Sequence, residues 1–176
     1  MSERGTDTSP VAVLMGAPGS GKSTVGPLLA ERLGVGFRDV DHDIEAAEGK
    51  AISEIFIDDG EPHFRELEHQ AVVRALAEHD GVLSLGGGAV LDERTREALR
   101  GHRVVWLVVG LATAAERVGL GTSRPVLALN PRATLRHLLE QRTPLYEEAA
   151  QVRIDTNGKD AEAVADEIAA ALGTHA

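Results

Sequence analysis

The run Gly16-Ala-Pro-Gly-Ser-Gly-Lys-Ser23 constrains this chain more than any other feature. It matches G-x-x-x-x-G-K-[ST] at every fixed position, and its context agrees. Val11-Ala-Val-Leu-Met15 before it is a short continuous apolar run, as a buried parallel strand should be. A helix is predicted after it, from about Lys22 to Leu33, stopped by Gly34. Glycines let backbone N–H groups converge on phosphate oxygens. Lys22 places a point charge at the β/γ phosphates, the Ser23 hydroxyl suits Mg²⁺, and the helix N-terminus adds partial positive charge. Motif and context together set aside a turn that merely joins strand to helix. Gly16, Gly19, Ser20, Gly21, Lys22, Ser23 and Thr24 are therefore the candidate nucleotide-binding residues. No guanine-reading N-K-x-D sequence is present, which favours ATP over GTP. The cradle alone does not separate kinase from other nucleotide hydrolases.

Strand and helix patterns alternate along the rest of the chain. Phe37-Arg-Asp-Val40, Val82-Leu-Ser-Leu85, Val104 to Val109 and Val152-Arg-Ile-Asp155 read as strands. Helices are predicted at Ala51 to Asp59, Glu61 to Glu78, Glu93 to Leu99, Ala112 to Val118 and Asn130-Pro131 to about Gln141. A last one follows Asp160. This order predicts an α/β domain, a parallel sheet with helices on both faces, whose ligands bind beyond the carboxyl ends of the strands. Residues 1–9 are expected to be a disordered tail and 10–173 a single domain, with a substrate-binding region at about 40–68 and a lid at about 119–131.

Composition narrows the function. The 176 residues contain no Cys, which excludes disulfide, thiolate-metal and cysteine chemistry. The net charge of -10 argues against nucleic-acid or anionic-membrane binding, since both need a basic face. A nucleotide still fits, because a few focused cations suffice. Residues 1–10 lack the apolar core of a signal peptide, and no apolar run approaches membrane-span length, so a cytoplasmic location is expected.

The acceptor side is read from residues placed after strands. Asp39-Val-Asp41 ends the second strand. In phosphoryl transfer one carboxylate typically holds the metal and another positions the acceptor hydroxyl. By itself the pair also fits helix capping by Asp41 with Asp39 solvated. Arg65 and Glu68, three residues apart, fit a surface ion pair or an Arg aimed at a substrate carboxylate. Gly86-Gly-Gly88 allows close ligand approach. Thr122-Ser-Arg124-Pro125 suits a closing lid. Arg117 fits either adenine stacking or a solvated helix end, and Arg142, expected just after a helix, fits a C-terminal cation equally well.

Together these pieces resemble the shikimate kinases over roughly Val11 to Leu172. The pieces are Gly16 to Thr24, Asp39-Val-Asp41, Gly60-Glu61 with Phe64-Arg65, Gly86-Gly-Gly88, Arg124-Pro125, and Arg142 with Pro144-Leu-Tyr146. The resemblance implies a P-loop kinase fold of the nucleoside-monophosphate-kinase type, with five parallel strands ordered 2-3-1-4-5. It implies transfer of the ATP γ-phosphoryl to shikimate, with Mg²⁺, on the way to chorismate. By that resemblance Lys22, Asp41 and Arg124 are catalytic, and Ser23 and Asp39 serve the metal. Arg65 and Arg142 hold the carboxylate, and Gly86, Gly87 and Gly88 line the pocket. Phe56 and Phe64 wall the ring, and Arg117 lies near adenine. A monomer is expected. The sequence departs from the family at Val126 in the lid, at Pro62-His63, and near Asn157-Gly-Lys159, where Ala161 stands in for an expected proline. Another kinase of this fold, for gluconate or a nucleoside monophosphate, is the runner-up. A non-catalytic nucleotide-binding protein comes third.

Overall fold

The structure, a computed structural model, describes residues 8–118 and 131–173. Arg124 and nearly all of the expected lid lie outside them. The element order is β1 (Ala12–Met15), α1 (Lys22–Leu33), β2 (Phe37–Asp39), α2 (Val40–Glu48), α3 (Ile52–Asp59), α4 (Glu61–Glu78), β3 (Val82–Ser84), a 3₁₀ turn (Ala89–Leu91), α5 (Glu93–Ala98), β4 (Val104–Val108), α6 (Leu111–Arg117), α7 (Pro131–Ala149), β5 (Val152–Asp155) and α8 (Ala161–Ala171). The strands form one parallel sheet in the order β2-β3-β1-β4-β5, as the resemblance implies.

The centre of the sheet explains the apolar run at Val11. Successive side chains of a strand face opposite ways. Val13 and Met15 enter a core with Phe64, Val72, Leu83 and Trp106, under α4 and α7. Ala12 and Leu14 enter a second core with Leu29, Val105, Val164 and Ile168, under α1 and α8. Both faces of β1 are covered, so every residue of it must be apolar.

Two expectations change. The second strand ends at Asp39, one residue short of Val40, because the Asp39 carboxylate accepts from the Asp41 amide at 2.9 Å and starts α2 there. The cap is thus Asp39, and Asp41 lies in the first turn of the helix. The helix from Pro131 does not stop near Gln141. It runs to Ala149 and carries Arg142 and Tyr146 within it, with Pro144 inside. The buried Tyr146 anchors it beyond the proline, and the Thr143 hydroxyl donates to Leu139 O at 2.6 Å within the turn that lacks the proline N–H.

The approach of β2 to β3 rests on a backbone crossing at Gly81. A Cβ on Gly81 would sit 2.1 Å from Gly36 O, whereas one on Gly36 would meet only the His79 ring at 3.7 Å. Gly36 O also accepts from Val82 N at 2.9 Å, so it has nowhere to retreat. Gly81→Ala should therefore cost ~2 kcal/mol or more in urea unfolding, in the range of overpacked sites. Gly36→Ala should stay within ~0.5 kcal/mol of the parent, as an ordinary surface change does. Equal effects would remove this crossing as the constraint.

Candidate active site

The loop after β1 folds as its glycines require. Gly19 and Gly21 have φ of 81° and 95°, a region that side chains resist. A Cβ on Gly16 would meet Leu107 O at 2.8 Å. Lys22 turns back over the loop and donates to Gly16 O at 2.5 Å. Ala17 O and Ser20 Oγ lie 3.4 and 3.5 Å from the same ammonium. Burial lowers its pKa to about 8, with Asp41 and Asp39 opposing the fall. One cleft of about 800 Å³ joins this loop to Asp39, Asp41, Gly86 and Gly87 on one side and to Arg117, Thr156 and Ala161 on the other.

The acceptor residues converge on the triple glycine. A Cβ on Gly86 would lie 2.7 Å from Asp41 Oδ1 and 3.0 Å from Glu68 Oε2. One on Gly87 would lie 3.3 Å from Arg142 Nη1, and one on Gly88 2.5 Å from Arg65 Nη1. The three glycines are thus a floor under two carboxylates and two guanidinium groups, with no room for side chains. Glu68 is buried, pairs with Arg65 at 2.8 Å, and lies against Gly86, so the pair is not a surface bridge. Burial raises the Glu68 pKa, and Arg65 opposes it. Phe64 is buried and Phe56 half-buried; their rings lie 4.7 Å apart, and the Arg65 guanidinium stands 5.3 and 5.8 Å from the Phe64 and Phe56 rings.

Arg117, exposed at the end of α6, is held by hydrogen bonds rather than left free in solvent. It donates to Gly19 O at 3.1 Å, to Thr156 Oγ1 at 3.0 Å and to Thr156 O at 2.8 Å. It ties the phosphate loop to the turn after β5. Thr156, 1% exposed, passes its own proton to Val108 O at 2.8 Å. Sequence reasoning missed Thr156 as a site residue. Its place just past β5, on the same sheet edge as the other ligand loops, was the available signal.

Asp41 Oδ1 is buried without a hydrogen-bond partner. Burial, then Asp39, then Glu68 raise its pKa to about 6 against the pull of Lys22. A carboxyl whose pKa is higher folded than unfolded binds its proton more tightly when folded. Its ionised form therefore costs stability above about pH 6, and the cost fades as pH falls toward 4. Each pKa unit is worth about 1.4 kcal/mol, so Asp41→Asn should stabilise the ligand-free protein by on the order of 2 kcal/mol at pH 7.5. Thermal melts should show a rise of several degrees at pH 7.5 and a smaller one at pH 5. A gain that does not shrink with acid would mean that the Asp41 charge is not its source.

The comparisons with known proteins place the chain in a family. A family model described as shikimate kinase matches residues 18–173. A shikimate kinase of Salinispora tropica is 63% identical over 164 residues, 93% of this chain and 98% of that one. The structure of Acinetobacter baumannii shikimate kinase in complex with shikimate superposes with a TM-score of 0.87 at 37% identity, over 94% of each chain. A gluconokinase of Sinorhizobium meliloti shares the fold at a TM-score of 0.57 and 23% identity, over 95% of this chain and 92% of that one. The phosphate cradle, the acceptor floor and these matches lead to one conclusion: the chain belongs to the shikimate kinase family of ATP-dependent kinases.

Proposed function

We propose that this enzyme moves the γ-phosphoryl of ATP to the 3-hydroxyl of shikimate, the step toward chorismate, as a cytoplasmic monomer. The observation that carries the proposal is the convergence of Asp41, Arg65 and Arg142 on the Gly86–Gly88 floor, of which Gly86 and Gly87, with Asp41, line the same cleft as the phosphate loop. Two guanidinium groups suit a carboxylate, and the partnerless Oδ1 of Asp41 suits a hydroxyl. Phe56 and Phe64 offer an apolar wall to a carbocycle. A half-buried carboxylate beside a buried ammonium is placed to accept the proton of the attacking hydroxyl.

On the nucleotide side, Gly16, Gly19, Ser20, Gly21 and Thr24 surround the phosphates, and Lys22 exchanges its loop carbonyls for phosphate oxygens. No group of three or more His, Asp or Glu that could hold a metal is found among the described residues. Ser23 and Asp39 instead line the cleft as a sparse oxygen set. That suits Mg²⁺, which keeps several waters and binds through one or two protein oxygens plus substrate phosphates. When bound, it would be held by Ser23 and Asp39 and would neutralise phosphate charge. Arg117 and Ala161 flank the end of the cleft assigned to adenine. Arg124 is assigned to the lid, outside the described residues. No described helix is long and apolar enough to cross a membrane.

A coupled ADP-release assay over shikimate, gluconate and AMP tests the substrate. Turnover is expected with shikimate alone, and Lys22→Met should reduce it at least ~100-fold while retaining shikimate binding, as loss of a charge that acts on the transferring group does. Preference for gluconate or AMP would overturn the assignment. Calorimetry on the two carboxylates separates their roles. Asp41→Asn should weaken shikimate binding ~30-fold or more, the cost of a lost buried charge-assisted bond, and leave Mg²⁺-ATP near normal. Asp39→Asn should raise the Mg²⁺ requirement and spare shikimate. The opposite pattern would reverse the two roles.

A further inference from the structure

Tyr146 lies on α7 four residues beyond Arg142, so the two side chains share a helix face. It is 1% exposed, and its ring stacks on Trp106 at 5.7 Å between centroids. Its hydroxyl donates to Gly87 O. Burial pushes the phenol pKa up to about 12, and the positive charge of the nearby Arg142 guanidinium opposes that rise. The same guanidinium stands 3.3 Å from where a Gly87 Cβ would be. The phenol thus holds the backbone of the glycine floor where a guanidinium approaches it.

The peptide geometry gives this contact a consequence. In a trans peptide the C=O of one residue and the N–H of the next point in opposite directions. Fixing Gly87 O on Tyr146 therefore fixes the Gly88 N–H on the far side of the plane. Glycine offers no Cβ to restrict that plane, so an outside hydrogen bond must do it. Neither Gly87 N–H nor Gly88 N–H donates to a protein acceptor among the described residues. A second tie holds the same two elements together: Arg96 donates to Val90 O at 2.6 Å and meets Glu148 of α7 at 3.1 Å.

We propose that Tyr146 is a positioning residue for carboxylate recognition, its hydroxyl setting the Gly87–Gly88 peptide and the Arg142 guanidinium in mutual register. This rests on the reading of Arg142 as a carboxylate-binding residue. A purely packing role would need the ring on Trp106 and not the oxygen.

Tyr146→Phe keeps the ring and removes only the oxygen. It should raise the KM for shikimate ~10-fold, the worth of one buried hydrogen bond and its partner left unmet. The KM for ATP and kcat should stay within ~2-fold, and thermal melts should show a folded protein. Arg142→Lys alone should also raise the shikimate KM, and adding Tyr146→Phe to it should cost less than ~3-fold more, because the two act as one unit. An unmoved shikimate KM in Tyr146→Phe, with Arg142→Lys impaired, overturns the role of Tyr146 alone. So does an equal rise in both KM values, which marks general loosening. An unmoved shikimate KM in Arg142→Lys removes the carboxylate reading, and the role of Tyr146 with it.

Discussion

The floor of the cleft has no room for a side chain, and the rest of the site depends on that. Gly86, Gly87 and Gly88 face Asp41 with Glu68, Arg142, and Arg65 in turn, each at a distance a Cβ would close. Any larger residue would push one of these groups away from the others. Because the floor is bare backbone, groups from α2, α4 and α7 meet at one place although they are up to about a hundred residues apart in sequence. In the proposed function, the same crowding would let a planar carboxylate or a hydroxyl be gripped by side chains and peptide N–H groups at once.

Such convergence is costly in the absence of ligand. Asp41, Glu68 and Lys22 are all moved toward their neutral forms by burial. The fold sustains this because the sheet beside the site is packed on both faces. Leu14, Leu83 and Leu107 are fully buried, and fully burying each is worth about 2 kcal/mol or more. The stabilising contacts lie along the strands, and the strained ones lie beyond their carboxyl ends. Removing the Asp41 charge should accordingly gain stability and lose function, which is the mark of a group kept for chemistry.

Much of this was legible in the residues. The continuous apolar run at β1 follows from a strand buried on both faces, and the phosphate loop from its glycines and Lys22. The Arg65–Glu68 spacing implied the pairing, but not that the pair packs against the glycine floor; local sequence cannot say which helix face meets the sheet. Three features depend on distant partners and were misread or missed. Pro144 marks a helix end by local rules, yet Tyr146 anchors the helix past it through Trp106 and Gly87. Asp39 rather than Asp41 caps α2, a choice set by where β2 leaves β3. Thr156 gains meaning only when Arg117, thirty-nine residues away, reaches it.

A chain with a net charge of -10 must still present positive charge to a triphosphate. The pairing of its cations shows how. Arg32, Arg38, Lys50 and Arg94 are each matched to acidic side chains at or near the surface. Such pairs add little stability, but they cancel positive field where none is wanted. Lys22 and Arg117 contact backbone carbonyls and hydroxyls instead, which orient a cation without neutralising it. Carbonyl oxygens surrender a cation to phosphate more readily than a carboxylate would, since only a dipole interaction is exchanged for a charge pair. Arg65 is the deliberate contrast. Glu68 holds it in place, and the buried carboxylate leaves the pair formally neutral until Arg142 supplies the second positive charge. The field of the cleft is thus graded, from cations without a salt bridge at the phosphate end to a half-compensated pair at the acceptor end. That gradient matches the larger charge of a triphosphate against the single charge of a carboxylate.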